Sequence, residues 1–209
     1  MRRSLLALLL GLGLIAPTLA QVNVVPQTGV TSGYVPKDTY SAAFVGLVPV
    51  ASATDVICLA GSSTKVVKLT SIRLSGTAGT LVTLPITLLR RTSVDTGGTA
   101  ASTTANPANT IAKRDTNSPT ASAVPISYTA NPTIVDSSPT YIDSQSLTLN
   151  VTGTTAAAVV PLIFDFGKDN ANLNAPVVLR GTAAQVCLNF NAVSVSSGVL
   201  NGSLTWTEE

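Results

Sequence analysis

The chain has 209 residues, of which 45% are hydrophobic and 11% charged, with 12 Lys and Arg against 10 Asp and Glu. It contains no histidine, which excludes Ser/His and Cys/His nucleophile arrangements and imidazole metal sites. Its densest basic spots are the pairs Arg90-Arg91 and Lys113-Arg114, too sparse for the clustered cations on which phosphate-driven nucleic-acid binding depends.

The chain opens "MRRSLLALLLGLGLIAPTLAQ", where Arg2 and Arg3 precede an apolar run from Leu5 to Ile15 and a small-residue site at Thr18-Leu19-Ala20. That layout predicts a secretory signal peptide over 1–20, cleaved to leave Gln21 first. The run is short for a bilayer span, which needs roughly 20 apolar residues, so no membrane span is expected after cleavage. Two of the 12 basic residues lie in this leader, so those remaining equal the 10 acidic ones and the exported chain is formally neutral. Residues 21–40, with two prolines and little alternation, read as an extended arm. Residues 41–209 then form one domain with a sizeable core.

Within that domain, short apolar segments punctuated by Gly, Pro, Asn and Asp predict strands at 56–60, 65–76, 81–91, 124–130, 145–151, 159–167, 176–181, 184–192 and 198–207. In the last of these, Leu200, Leu204 and Trp206 share a face with Gly202, so Trp206 is assigned to the core. Pro85 marks its strand as an edge strand or a bulge. The apolar phase of "AQVCLNFNAVSV" changes near Asn191, which predicts a bulge or bend there, and Ser196-Ser197-Gly198 predicts a hairpin turn between the last two strands. Residues 92–121 read as one long polar loop. No segment sustains a helical period, so the expected fold is an all-β, single-domain β-sandwich of jelly-roll type.

Several fragments invite a chemical reading. "VDTGG" at 94–98 contains the Asp-Thr-Gly of aspartic proteases, whose two carboxylates share a proton, but there is one copy, and a second carboxylate would have to come from a homodimer. Asp-Thr-Gly-Gly after a strand is also ordinary turn chemistry, and on that reading Asp95 is a structural surface residue. "FDFGKD" at 164–169 is a strand end with a turn, and "DNANLN" at 169–174 a loop whose spacing does not match a calcium site. No catalytic residue, metal or cofactor is assigned. The two cysteines, Cys58 and Cys187, cannot supply the four ligands of a zinc site. They are either a disulfide, which export favours, or two small buried fillers. Each lies opposite the main apolar set of its strand, Ile57/Leu59 and Val186/Leu188/Phe190.

The segments "TYSAAFVGLVPVASATDVICLAGSSTKVVKLTSIRLSG", "LLRRTSVDTGGTA", "YTANPT", "VVPLIFDFG", "VVLRGTAAQVCLNFNAVSV" and "LTWTEE" together resemble a family of small β-rich proteins encoded in bacterial genomes and in phage or prophage regions. The resemblance spans nearly the whole exported chain and implies a structural or virion-associated role, with no catalytic residues to carry over. The leader and the cysteines depart from it and turn the reading toward the host's exterior. The expected function is therefore a non-enzymatic, secreted, periplasmic or cell-surface structural or adhesive protein, self-associating or held to surface or virion proteins. The alternative is a carbohydrate-binding module, in which Tyr34, Tyr40, Tyr128 and Tyr141 are the candidates for stacking on a glycan.

Overall fold

A computed structural model describes residues 37–100, 109–136, 138–153, 159–167 and 175–209. The leader, Tyr34, most of the arm and the 169–174 segment lie outside them. The described residues are all-β, with strands β1 (Asp38–Leu47), β2 (Asp55–Ala60), β3 (Val66–Ala78), β4 (Val82–Arg91), β5 (Thr99–Ala100), β6 (Asn109–Lys113), β7 (Val124–Ser127), β8 (Thr140–Val151), β9 (Leu162–Asp165), β10 (Val177–Arg180), β11 (Gln185–Asn189) and β12 (Val199–Glu208). The first strand takes Asp38 to Tyr40 out of the expected arm, and β5 and β6 put two strands inside the expected long loop.

Two runs of antiparallel neighbours carry the architecture. One is β6-β1-β12-β3, with β10 and β9 one after the other along the far edge of β3; the other is β5-β7-β2-β11-β4-β8. A short parallel pairing of Thr77 and Ala78 with Asn150 and Val151 joins them into one mixed sheet of 12 strands. The runs face each other across the core: a Cβ built on Gly202 of β12 would lie 3.4 Å from Ile57 of β2. Leu200, Leu204 and Trp206 from one run and Ile57, Leu59, Leu84, Ile86, Leu88, Val186 and Leu188 from the other belong to one buried cluster. Tyr40 stacks on Trp206 at 5.7 Å between ring centroids, an aromatic pair that stabilises beyond its buried area.

Two expectations change, and the bend gains its cause. The β4 strand is interior, paired to β8 from Val82 to Arg90 but to β11 only from Thr87 to Arg91. Pro85 therefore stands where the β11 ladder has ended; having no N–H to offer, it leaves only a carbonyl, which accepts from Asn191 Nδ2 at 2.7 Å. The last two strands are not a hairpin, because β11 pairs β2 and β4 while β12 pairs β1 and β3. The bend near Asn191 is a crossing between the two runs: Asn191 and Ala192 take φ of 55° and 54°, and Phe190 and Val195 enter the core on either side.

The open side between β6 and β7 is fastened by Glu208. Its buried carboxylate accepts from Ser122 N at 2.9 Å, Ser122 Oγ at 2.6 Å, Ala123 N at 2.9 Å and Trp206 Nε1 at 3.0 Å. Burial opposes its ionisation, but the bonds from Ser122, Ala123 and Trp206 outweigh this and hold the carboxyl below its ordinary value. A depressed folded pKa contributes stability that is present above the ordinary 4.5 and lost as pH falls through the folded value. Glu208→Ala is expected to cost about 3 kcal/mol in denaturant unfolding at pH 7, since a buried donor left unpaired costs roughly 1–3 kcal/mol. The deficit should shrink below pH 4, and a loss under 0.5 kcal/mol (roughly the size of a neutral surface change) would show that the side opens without it.

Candidate functional site

Cys58 and Cys187 stand directly opposite each other on β2 and β11. Their Cα atoms are 4.1 Å apart and their sulfurs are bonded at 2.03 Å. Close Cα spacing of this kind belongs to the non-hydrogen-bonded pairs of an antiparallel ladder. Alternation puts the bridge on the outer face: Ile57, Leu59, Val186 and Leu188 go to the main core, whereas Cys58 and Cys187 join Ala60, Ile126 and Tyr128 in a second, smaller cluster.

That outer cluster has a roof made of residues 92–98 and 128–136. Val94 packs on the cluster. Gly97 has φ of +90°, which favours glycine, and a Cβ at Gly98 would lie 2.4 Å from Ile126 and 2.5 Å from the Tyr128 ring. The glycines of Asp-Thr-Gly-Gly therefore let the backbone turn and then lie flat on the aromatic ring. The two roof segments bond to each other through Thr96 N to Thr133 O at 3.2 Å and Thr133 N to Thr96 O at 3.1 Å. Asn131 ties the second segment down, accepting from Thr54 N at 2.9 Å and donating to Ser52 O at 3.2 Å. Asp136 accepts from Thr92 N at 2.7 Å and Ser138 N at 2.9 Å, and these backbone donors hold its carboxyl below the ordinary value.

Beneath the roof, beside the disulfide, is a group of buried polar side chains. Arg91 donates from Nε to Asp55 Oδ2 at 2.6 Å, its Nε is 3.3 Å from Asp95 Oδ2, and Nη1 donates to the Asp136 carbonyl at 2.8 Å. Asn189 Nδ2 donates to the other Asp55 oxygen. Gln185 accepts from Asp95 N at 3.0 Å and donates toward Asp95 Oδ2 at 3.4 Å and Cys187 Sγ at 2.7 Å. Tyr128 Oη donates to Asp95 O at 3.2 Å, and Val135 N to Asp95 Oδ1 at 3.3 Å. No buried side-chain nitrogen or oxygen among the described residues lacks a partner.

One guanidinium balances one carboxylate, so the second carboxyl keeps its proton. Burial first, then the hydrogen bond that the protonated carboxyl donates to Asp55 and the charge of Asp55, push the Asp95 carboxyl up to about 7, with Arg91 pulling the other way. Burial and the nearby Asp95 charge push the Tyr128 hydroxyl up to about 12. The expectation of a surface turn residue at Asp95 is thus corrected: Asp95 is 3% exposed. The second carboxylate comes from Asp55 in the same chain, a partner 40 residues away by number that no local motif announces. Both are shielded from solvent, so the pair is placed to share a proton. Asp55, Asp95, Cys58 and Cys187 offer donor atoms within 4.8 Å of one another, but both sulfurs are spent in the S–S bond and Arg91 is the cation that the carboxylates hold.

Of the tyrosines proposed to stack on a glycan, Tyr40 and Tyr128 are 0% and 1% exposed and cannot do so, because one fills the core under Trp206 and the other the roof cluster. Tyr141 on β8 is 71% exposed.

Arg91→Met is expected to destabilise by about 3–5 kcal/mol at pH 7, as removal of one partner from a buried ion pair does, and by less at pH 4, where Asp95 is protonated and brings no charge. Equal losses at the two pH values would mean that Arg91 acts by packing alone. Asp95→Asn has the opposite pH sense. A raised folded pKa contributes stability that is complete below the ordinary 3.8 and is lost as pH rises through about 7. The variant should match the wild type near pH 4 and exceed its melting temperature at pH 8, which thermal melts across that range would check.

No protein-family model, curated protein or solved structure matches the chain.

Proposed function

We propose that the chain is a non-enzymatic, exported structural or adhesive surface protein built on a jelly roll. The pairing orders β1-β12-β3-β9/β10 and β2-β11-β4-β8 support the fold reading, because a chain alternating between two facing sheets as paired Greek keys produces this interleaving. The observation that carries the function is the buried Cys58–Cys187 bridge. Such bonds persist in oxidising compartments, and this one clamps the middle of a sheet instead of lying open to a substrate. Among the described residues no helix is long and apolar enough to cross a membrane. Val45 near the end of β1, Val48 and Val50 just after it and Val199 at the start of β12 are exposed near the paired Leu47 and Leu200, an apolar grouping that suits self-association or attachment to a surface or virion partner.

Exported material is expected to begin at Gln21, to contain no free thiol when unfolded without reductant, and to self-associate by light scattering. Protein that keeps Met1 to Ala20 and titrates two thiols would overturn the export reading, and a turnover abolished by Asp95→Asn would overturn the non-enzymatic one.

Tyr141 favours a second reading, in which the outer face of β8 binds a glycan. Its exposed ring lies opposite Leu89, on the outward face of β8 that also carries exposed Ser144, Ser146 and Thr148, an aromatic platform beside polar groups. On a glycan array Tyr141→Ala should lose any binding shown by the wild type while melting at the same temperature; binding that survives in the variant removes the tyrosine from the reading.

A further inference from the structure

We propose that the roof over the Cys58–Cys187 disulfide is latched by one proton: held between the carboxyl groups of Asp55 and Asp95 it keeps residues 92–98 and 128–136 shut, and its loss opens the bridge to external reductants.

Apart from the Asp95 side chain the roof has few holds. Val94 and Gly98 pack against Ile126 and Tyr128; Tyr128 N donates to Val56 O, and Thr96 and Thr133 bond each other; Gln185 accepts from Asp95 N and Arg91 Nη1 donates to the Asp136 carbonyl; Asn131 and the Asp136 carboxylate tie the exposed side. Asp95 is the one roof carboxyl that reaches inward. It is faced by Asp55 and Cys58 from β2, by Arg91 from β4, by Gln185 and Cys187 from β11, and by the Tyr128 hydroxyl from the other half of the roof. Asp136 adds a carbonyl to Arg91 and keeps its carboxylate on the outside with Thr92. Of these groups only Arg91 is cationic, and it is already 2.6 Å from Asp55. Ionised Asp95 therefore adds a second, unbalanced negative charge under the roof. The nearest relief is for the 92–98 segment to lift and hydrate it, since loops with few buried contacts open at the low end of a protein's local stabilities.

Opening uncovers a disulfide that is otherwise 0–1% exposed. A water-soluble phosphine then attacks one sulfur; the S–S bond breaks and the other cysteine leaves as a thiolate that takes a proton from water. Water hydrolyses the phosphonium, giving the second thiol and a phosphine oxide, so two electrons pass from phosphorus to the sulfurs.

The test measures the phosphine reduction rate of the full, native protein from pH 4 to 9, divided at each pH by the rate for oxidised glutathione, a fully exposed disulfide. The open roof releases the proton at the ordinary pKa of 3.8 and the closed roof at about 7. The ratio should therefore rise by up to about tenfold per pH unit between these values and level off above the higher. In Asp95→Asn the ratio should be flat. Should that variant fail to fold, amide hydrogen exchange of wild-type Thr96, Thr133 and Val135, corrected for chemical exchange, should rise over the same interval while amides of the β3–β12 ladder do not. A wild-type ratio constant within twofold, an equal rise in Asp95→Asn, or exchange rising in roof and ladder alike would each overturn the proposal.

Discussion

Most of this structure depends on the pairing of β2 with β11 in the middle of a sheet whose two faces are both covered. Every residue of β2 and of β11 is buried, which is unusual for an antiparallel strand, since such sheets commonly leave one face to water. The inner face is ordinary hydrophobic core. The outer face is the unusual one, because a strand buried there needs a lid, and a lid of backbone needs its polar groups satisfied. The disulfide sits at that place and fixes which residues of β2 and β11 oppose each other. A one-residue slip would send Ile57 and Leu59 outward and the cysteines into the core.

From that constraint follow the roof and the charged group beneath it. Asp95 and Gln185 satisfy each other and the roof backbone at Val135. Asp55 brings a carboxylate from β2, and Arg91 brings the compensating charge from β4. An arginine suits this position because its planar fork serves Asp55, Asp95 and the Asp136 carbonyl from fixed directions, whereas a lysine ammonium is a compact point charge that demands hydration. Burying this group is not by itself stabilising, since a buried ion pair often only breaks even with apolar packing. Its effect is to specify one roof geometry and to tie that geometry to one proton.

Much of the strand pattern was legible in the sequence, because period-two alternation leaves a direct mark wherever one face is dry and the other wet. Leu200, Leu204 and Trp206 show it, and the opposite-face placement of Cys58 and Cys187 followed from the same rule. The first strand carried the signal too, in Tyr40, Ala42 and Phe44, but it was hidden by the neighbouring prolines that make 21–40 look like an arm. The hairpin expectation at 196–198 failed because turn residues report that a chain turns and not which sheet it turns toward. Asp95 failed for a related reason. Its own neighbours are turn residues, and the burial that changes its chemistry comes from Asp55, Arg91 and Gln185, none of which the local motif contains.

Two carboxyl groups at opposite places in the fold respond to acid in opposite directions, and together they bound the conditions this architecture tolerates. Glu208 is held ionised by backbone and indole donors, so its grip on residues 122 and 123 weakens as it is protonated at low pH. Asp95 is held protonated by burial beside Asp55, so its grip on the roof weakens as it is ionised toward neutral pH. The first guards the closure between β6 and β7 and hence the main core. The second guards only the outer cluster and its disulfide. An acid excursion therefore threatens the fold as a whole, whereas an alkaline one loosens a single surface layer and leaves the ladder of β3 and β12 in place. The disulfide keeps the β2–β11 register when that layer lifts, because it joins the two strands directly and does not depend on the roof for its bond.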